Sequence, residues 1–145
     1  MARIKVITHE IANAEQKALF DAIQSQLGIV PNFLKVFANS PDALKAFLGL
    51  HGIANGGSLD PLTRERIALA LAQQNECQYW VSAHPAIGRK GGLTGAEIEA
   101  NRAGTSQDAK AAVAVKFARA LVTHTGNVTN AELDEVRKAG YSDAD

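Results

Sequence analysis

Asn75-Glu76-Cys77-Gln78-Tyr79-Trp80-Val81-Ser82-Ala83-His84, running on to Gly92, is the stretch around which the chain is organised. It holds the only cysteine, the only tryptophan and one of four histidines. Read as a helix from about Glu76 to Lys90, it places Cys77, Trp80, Val81 and His84 at i, i+3, i+4 and i+7. A thiol, an indole and an imidazole then share one stripe. Cys77 falls near the helix start, where unpaired backbone N–H groups favour a thiolate. Taken singly, each of these residues reads as core: a lone Cys is usually a small buried hydrophobe, and a Trp on an apolar face usually packs. Their concentration within eight positions favours a functional role.

Working outward, the same chemistry of caps and breakers marks helices on both sides. Asp60-Pro61 opens a strong helix from Leu62 to about Gln74, apolar on most of its surface through Ile67, Leu69, Ala70 and Leu71, and therefore expected to be central. Glu65 lies early in it, either complementing the helix N-terminus or facing the Cys/His stripe. Pro85, directly after His84, removes a helical hydrogen bond and predicts a kink or a change of direction. Gly91-Gly92 end the focal helix.

Asn13 predicts a first helix to Leu27 with Leu19, Ala22, Ile23 and Leu27 on its apolar face, stopped by Gly28. Residues 1–12 before it read as an extended leader. A short helix follows from Phe33 to about Ala38, and Ser40-Pro41 open another that ends at Asn55-Gly56-Gly57. His51 on that helix reads as a surface residue. Downstream, Thr94 with Glu97 and Thr129 with Glu132 match capping boxes. Ser106 is the expected cap of an Ala-rich helix ending near His124, a cation suited to a helix C-terminus. Tyr141 to Asp145 reads as the start of one more helix, which suggests that a C-terminal segment is missing. No strand pattern emerges, and the fold class is all-α.

Composition narrows the function classes. At 145 residues, with 46% apolar and 21% charged residues, the chain is expected to form one soluble domain over 1–145, its core about 28–140. Net charge is zero, which argues against nucleic-acid binding. One cysteine excludes an internal disulfide and a Cys-based zinc site, and no metal or cofactor is expected. With no signal-peptide pattern and no apolar run of spanning length, the expectation is a cytoplasmic protein with no membrane partner.

At Glu65, Cys77 and His84 the chain resembles the carboxymuconolactone decarboxylase superfamily, in its alkylhydroperoxidase AhpD-like branch. The branch pattern is Glu, eleven residues, Cys, two residues, Cys, three residues, His, and this chain fills three of those four places. Ala86 to Thr94, Val30-Pro31-Asn32 and Ser40 to Phe47 also resemble branch segments, so the likeness runs over roughly 28–140. It implies an AhpD-like helical bundle with a central antiparallel helix pair. It also implies a peroxiredoxin-type antioxidant peroxidase that takes a hydroperoxide and an external thiol reductant, and a homo-trimer or homo-hexamer. Cys77, His84 and Glu65 become the catalytic candidates, with Trp80 and Val81 lining the pocket. The departure is Trp80, which stands where the branch has its second cysteine.

Three readings follow. In the first, Cys77 works alone as a peroxidatic thiol with Glu65 and His84 as proton relay. In the second, Glu65 and His84 perform acid–base chemistry on a small organic acid or lactone, as in the decarboxylase branch, with Arg64, Arg66 or Arg89 receiving its carboxylate. In the third, the chain is a non-catalytic helical assembly module in which Trp80 fills the old disulfide slot. Antiparallel packing of the two central helices places Glu65 and His84 level with each other, because each lies ~13 Å of helical rise from the turn between them.

Overall fold

The computed structural model describes residues 3–145, and among these every regular element is a helix. Met1 and Ala2, part of the expected leader, lie outside the described residues. The chain forms two compact units, residues 1–56 and residues 57–145.

The first unit contains α1 (Ala14–Leu27), α2 (Asn32–Phe37) and α3 (Pro41–Asn55). Asn13 closes a capping box with Gln16, and Gly28, in the left-handed region at φ 75°, ends α1. The buried stripe of α1 is Gln16, Phe20 and Ile23 rather than the expected Leu19, Ile23 and Leu27, and Leu27 is exposed. A glutamine can take a core position here because its side-chain amide donates to the Ala38 carbonyl at 2.7 Å. Phe20, Ile23, Leu34 and Leu44 form the core with Ile7 of the leader, whose N–H donates to the Lys35 carbonyl. Ser40 and Pro41 start α3 as expected, and His51 is exposed, stacked on Phe47.

The second unit contains α4 (Pro61–Gln74), α5 (Gln78–Gly91), α6 (Gly95–Arg102), α7 (Ala109–Thr123) and α8 (Asn130–Lys138). Helix α4 is central and packs against α5, α6 and α7. Its Leu69 joins Leu93 and Ile98 in a buried cluster covered by Leu62. At its far end Arg102 of α6 donates to the Gln73 side chain and Arg119 of α7 to that of Gln74, which tie the helix end to both neighbours. Helix α5 packs antiparallel on α4, with Gly91 beside Leu62 and Gly88 beside Glu65.

Two expected caps are used differently. Thr94 accepts from the Glu97 N–H, but the Glu97 side chain does not return to Thr94. Instead its carboxylate is buried and accepts from Arg66, Asn101, Ser106 and the Gln107 N–H. Burial pushes its pKa up, but these donors outweigh burial and hold it at about 2. Ser106 is therefore committed to Glu97, and Asp108 caps α7. The Thr129–Glu132 capping box forms as expected.

Candidate functional site

The site grows out of the three-residue connection between α4 and α5. Asn75 ends α4, and Glu76 follows in the left-handed region at φ 51°. The Glu76 N–H donates to the Gln73 carbonyl and the Cys77 N–H to the Ala72 carbonyl. This is a Schellman closure with Glu76 where glycine is usual. Cys77 is at once the last residue of that closure and the N-cap of α5, where its carbonyl accepts from the Val81 N–H. The helix therefore starts at Gln78, two residues later than expected. The partly buried thiol makes no capping hydrogen bond. The helix runs on through Pro85 to Gly91.

Two turns along α5, His84 Nδ1 lies 2.7 Å from Glu65 Oε1, and the two side chains are only 16% and 15% exposed. Glu65 is the fifth residue of α4, past the first turn, and serves His84 rather than the helix N-terminus. A carboxylate only accepts, so the Nδ1–H is the group that donates to Glu65, and Nε2 is the ring nitrogen left to exchange a proton. The pair is thus an oriented imidazole backed by a carboxylate, an arrangement suited to accepting and returning a proton.

Sequence reasoning overlooked Gly88. A Cβ there would stand 3.1 Å from Leu93 Cδ1 and 3.6 Å from Glu65 Cγ, so the missing side chain lets α5 come close to α4 beside Glu65. A glycine inside a helical pattern was the available signal.

Trp80 fills the turn between Cys77 and His84. Its ring centroid lies 5.0 Å from that of His84 at an interplanar angle of 33°, and Tyr79 packs edge-on against it at 5.1 Å. Cys77 is a further turn away, and its Cα is about 10 Å of helical rise from that of His84. Val81 is partly buried on the same helix. Of the cations considered for a substrate carboxylate, Arg66 is engaged by Glu97 and Arg64 donates to the Leu59 carbonyl, while Arg89 is exposed in the last turn of α5. Among the described residues no group of three or more His, Cys, Asp or Glu side chains is placed to hold a metal. No helix among them is long and apolar enough to cross a membrane.

The sequence model of the carboxymuconolactone decarboxylase family matches residues 41–123, more than half of the chain. The chain belongs to that family. Within it the chain falls in the AhpD-like branch. It is 31% identical to an alkylhydroperoxidase AhpD core from Rhodospirillum rubrum ATCC 11170, covering 92% of this chain and 98% of that one, with a TM-score of 0.59. An uncharacterized peroxidase-related protein from Silicibacter sp. TM1040 is 26% identical, with a TM-score of 0.79 over all of this chain and 82% of that one. A peroxidase-related protein from Ralstonia eutropha JMP134 shares the fold at a TM-score of 0.84 and 24% identity, covering 97% of this chain and 77% of that one. No curated protein matches the chain.

Proposed function

We propose that this protein is a single-cysteine hydroperoxide reductase of the alkylhydroperoxidase type, with Cys77 as nucleophile and Glu65–His84 as its acid–base partner. The observation that carries the reading is the partly buried hydrogen bond between Glu65 and His84, on the same helix as a partly exposed thiol at a helix start. The Cys77 thiolate attacks the peroxide O–O bond and takes the distal oxygen as a sulfenic acid. The alkoxide leaves and is protonated through His84, with Glu65 holding the ring in place. An external thiol then displaces water from the sulfenic acid to form a mixed disulfide, and a second thiol releases Cys77. In this reading a bridging water carries the proton between Nε2 and the thiol. Such a thiol cycle suits the reducing cytoplasm.

A second reading is favoured by one contact, the Trp80 ring over His84. With the indole packed at a tilt against the imidazole and the thiol about two turns away, Glu65–His84 serves as a general base for a small organic acid and Trp80 as a wall of its pocket.

Stopped-flow mixing of the reduced protein with cumene hydroperoxide, followed by mass spectrometry of Cys77, separates them. Sulfenate formation much faster than for free cysteine supports the peroxidase. Turnover of a lactone acid in the Cys77→Ala variant supports the acid–base enzyme. If neither occurs, the chain is a non-catalytic member of the fold.

We also propose a homo-trimer or homo-hexamer. Tyr79 and Ile87 of α5 are 44% and 50% exposed in the single chain, close in sequence to His84, and burial between subunits would cover them. Sedimentation that finds only monomer at micromolar concentration overturns this.

A further inference from the structure

Glu65 holds His84 by Nδ1 at 2.7 Å, so Nε2, across the ring, is the nitrogen directed away from Glu65. Trp80 precedes His84 by four residues, on the same face of α5. Its ring centroid lies 5.0 Å from that of the imidazole at a 33° tilt. A group held at Nε2 therefore has the indole beside it. Tyr79 backs the indole edge-on, with ring centroids 5.1 Å apart at 86°. Trp80 is itself partly exposed.

The helix around the indole offers nothing to an anion. From Gln78 to Gly88, α5 has no Asp, Glu, Lys or Arg. On α4, Arg66 is bound by Glu97, and Arg64 donates to the Leu59 carbonyl. Arg89 is five residues past His84 and so projects from another side of α5. Glu76, just before the helix, is exposed and repels an anion rather than holding it. An uncharged molecule with an aromatic body meets an aromatic wall here.

We propose that Trp80 sets the substrate class of this site, an uncharged hydroperoxide with an aryl group on the carbon that bears the O–O bond. The proposal rests on the reading of Cys77 as nucleophile. The thiolate takes the terminal oxygen and becomes the sulfenic acid as the O–O bond breaks. The departing alkoxide receives the proton that His84 took from the thiol. Its oxygen is thus the atom served by Nε2, and the carbon attached to that oxygen is the one beside Trp80. An aryl group on this carbon packs offset or edge-on against the indole and leaves water as it does so. Hydrogen peroxide has no such group.

The test compares cumene hydroperoxide, tert-butyl hydroperoxide and hydrogen peroxide on the reduced full chain by stopped flow. Each second-order rate is divided by that of free cysteine with the same peroxide. The two organic peroxides differ only by phenyl for methyl. The expected normalised rate for cumene hydroperoxide is about fivefold or more above both others. Trp80→Phe is expected to keep most of that preference, and Trp80→Leu to reduce it to within about twofold of none. Trp80 is the only tryptophan, so its emission gives a second measurement that needs no reaction. The product alcohol 2-phenylpropan-2-ol is expected to change that emission saturably, at lower concentration than tert-butanol. Fast Cys77 oxidation at one normalised rate for all three peroxides overturns the proposal and leaves the peroxidase reading standing. So does a Trp80→Leu variant that keeps the preference, or emission indifferent to the aryl alcohol. Oxidation no faster than free cysteine with every peroxide overturns the peroxidase reading, and the proposal with it.

Discussion

The Glu65 carboxylate meets His84 Nδ1 at 2.7 Å across the α4–α5 hairpin, with both side chains mostly withdrawn from water. If this pair moves the proton in the proposed reaction, Glu65→Gln and His84→Asn each slow Cys77 oxidation about 10²-fold or more. The double variant is expected to be little slower than the worse single one, because the two act as a unit. Stopped-flow rates across the four proteins measure this. Additive losses would separate the two residues.

Trp80 stands one turn after Cys77, where a second sulfur would complete a Cys-x-x-Cys pair. The Trp80→Cys variant is expected to form a disulfide with Cys77 on oxidation and to gain peroxide turnover with a dithiol reductant. Loss of an indole packed between Tyr79 and His84 costs about 3 kcal/mol of stability, in the range for removing a large packed aromatic. A variant that folds and forms the disulfide, yet shows no turnover with Glu65 and His84 in place, rules out the peroxidase reading.

Glu76 occupies a left-handed position immediately before Cys77. Glycine adopts that conformation without steric cost, so Glu76→Gly is expected to raise stability by about 0.5–1 kcal/mol. Urea unfolding checks the sign. A loss of stability would mean that the Glu76 side chain makes a compensating interaction.

Glu97 gives the second unit a dependence on acid. Its folded pKa, about 2, lies below the ordinary glutamate value. The stability this contributes is present above about pH 5 and is lost as pH falls towards 2. It is on the order of 2–3 kcal/mol at neutral pH. Thermal melts of the wild type and Glu97→Gln between pH 7 and pH 3 are expected to converge as the pH drops. Parallel curves would mean that the carboxylate contributes no charge-dependent stability.

Local sequence was enough for the helices, because caps and breakers act over three or four residues. Asn13, Ser40-Pro41, Asp60-Pro61 and Thr129–Glu132 all start helices where their chemistry implies. It was also enough to set Glu65 level with His84, since a short turn and a fixed rise per residue determine the register of a hairpin. Which side chain serves which partner was decided by packing. Gln16 enters the core because a carbonyl 22 residues away receives its amide, and Leu27 of the same helix is left exposed. Glu97 leaves the capping box that its spacing predicts because Arg66 and the loop after α6 supply more donors than the helix end does. Ser106 follows it, and the cap of α7 passes to Asp108. Gly88 admits Glu65 only once α4 and α5 lie side by side. These outcomes turn on competition among partners distant in sequence, which local propensity and periodicity do not contain.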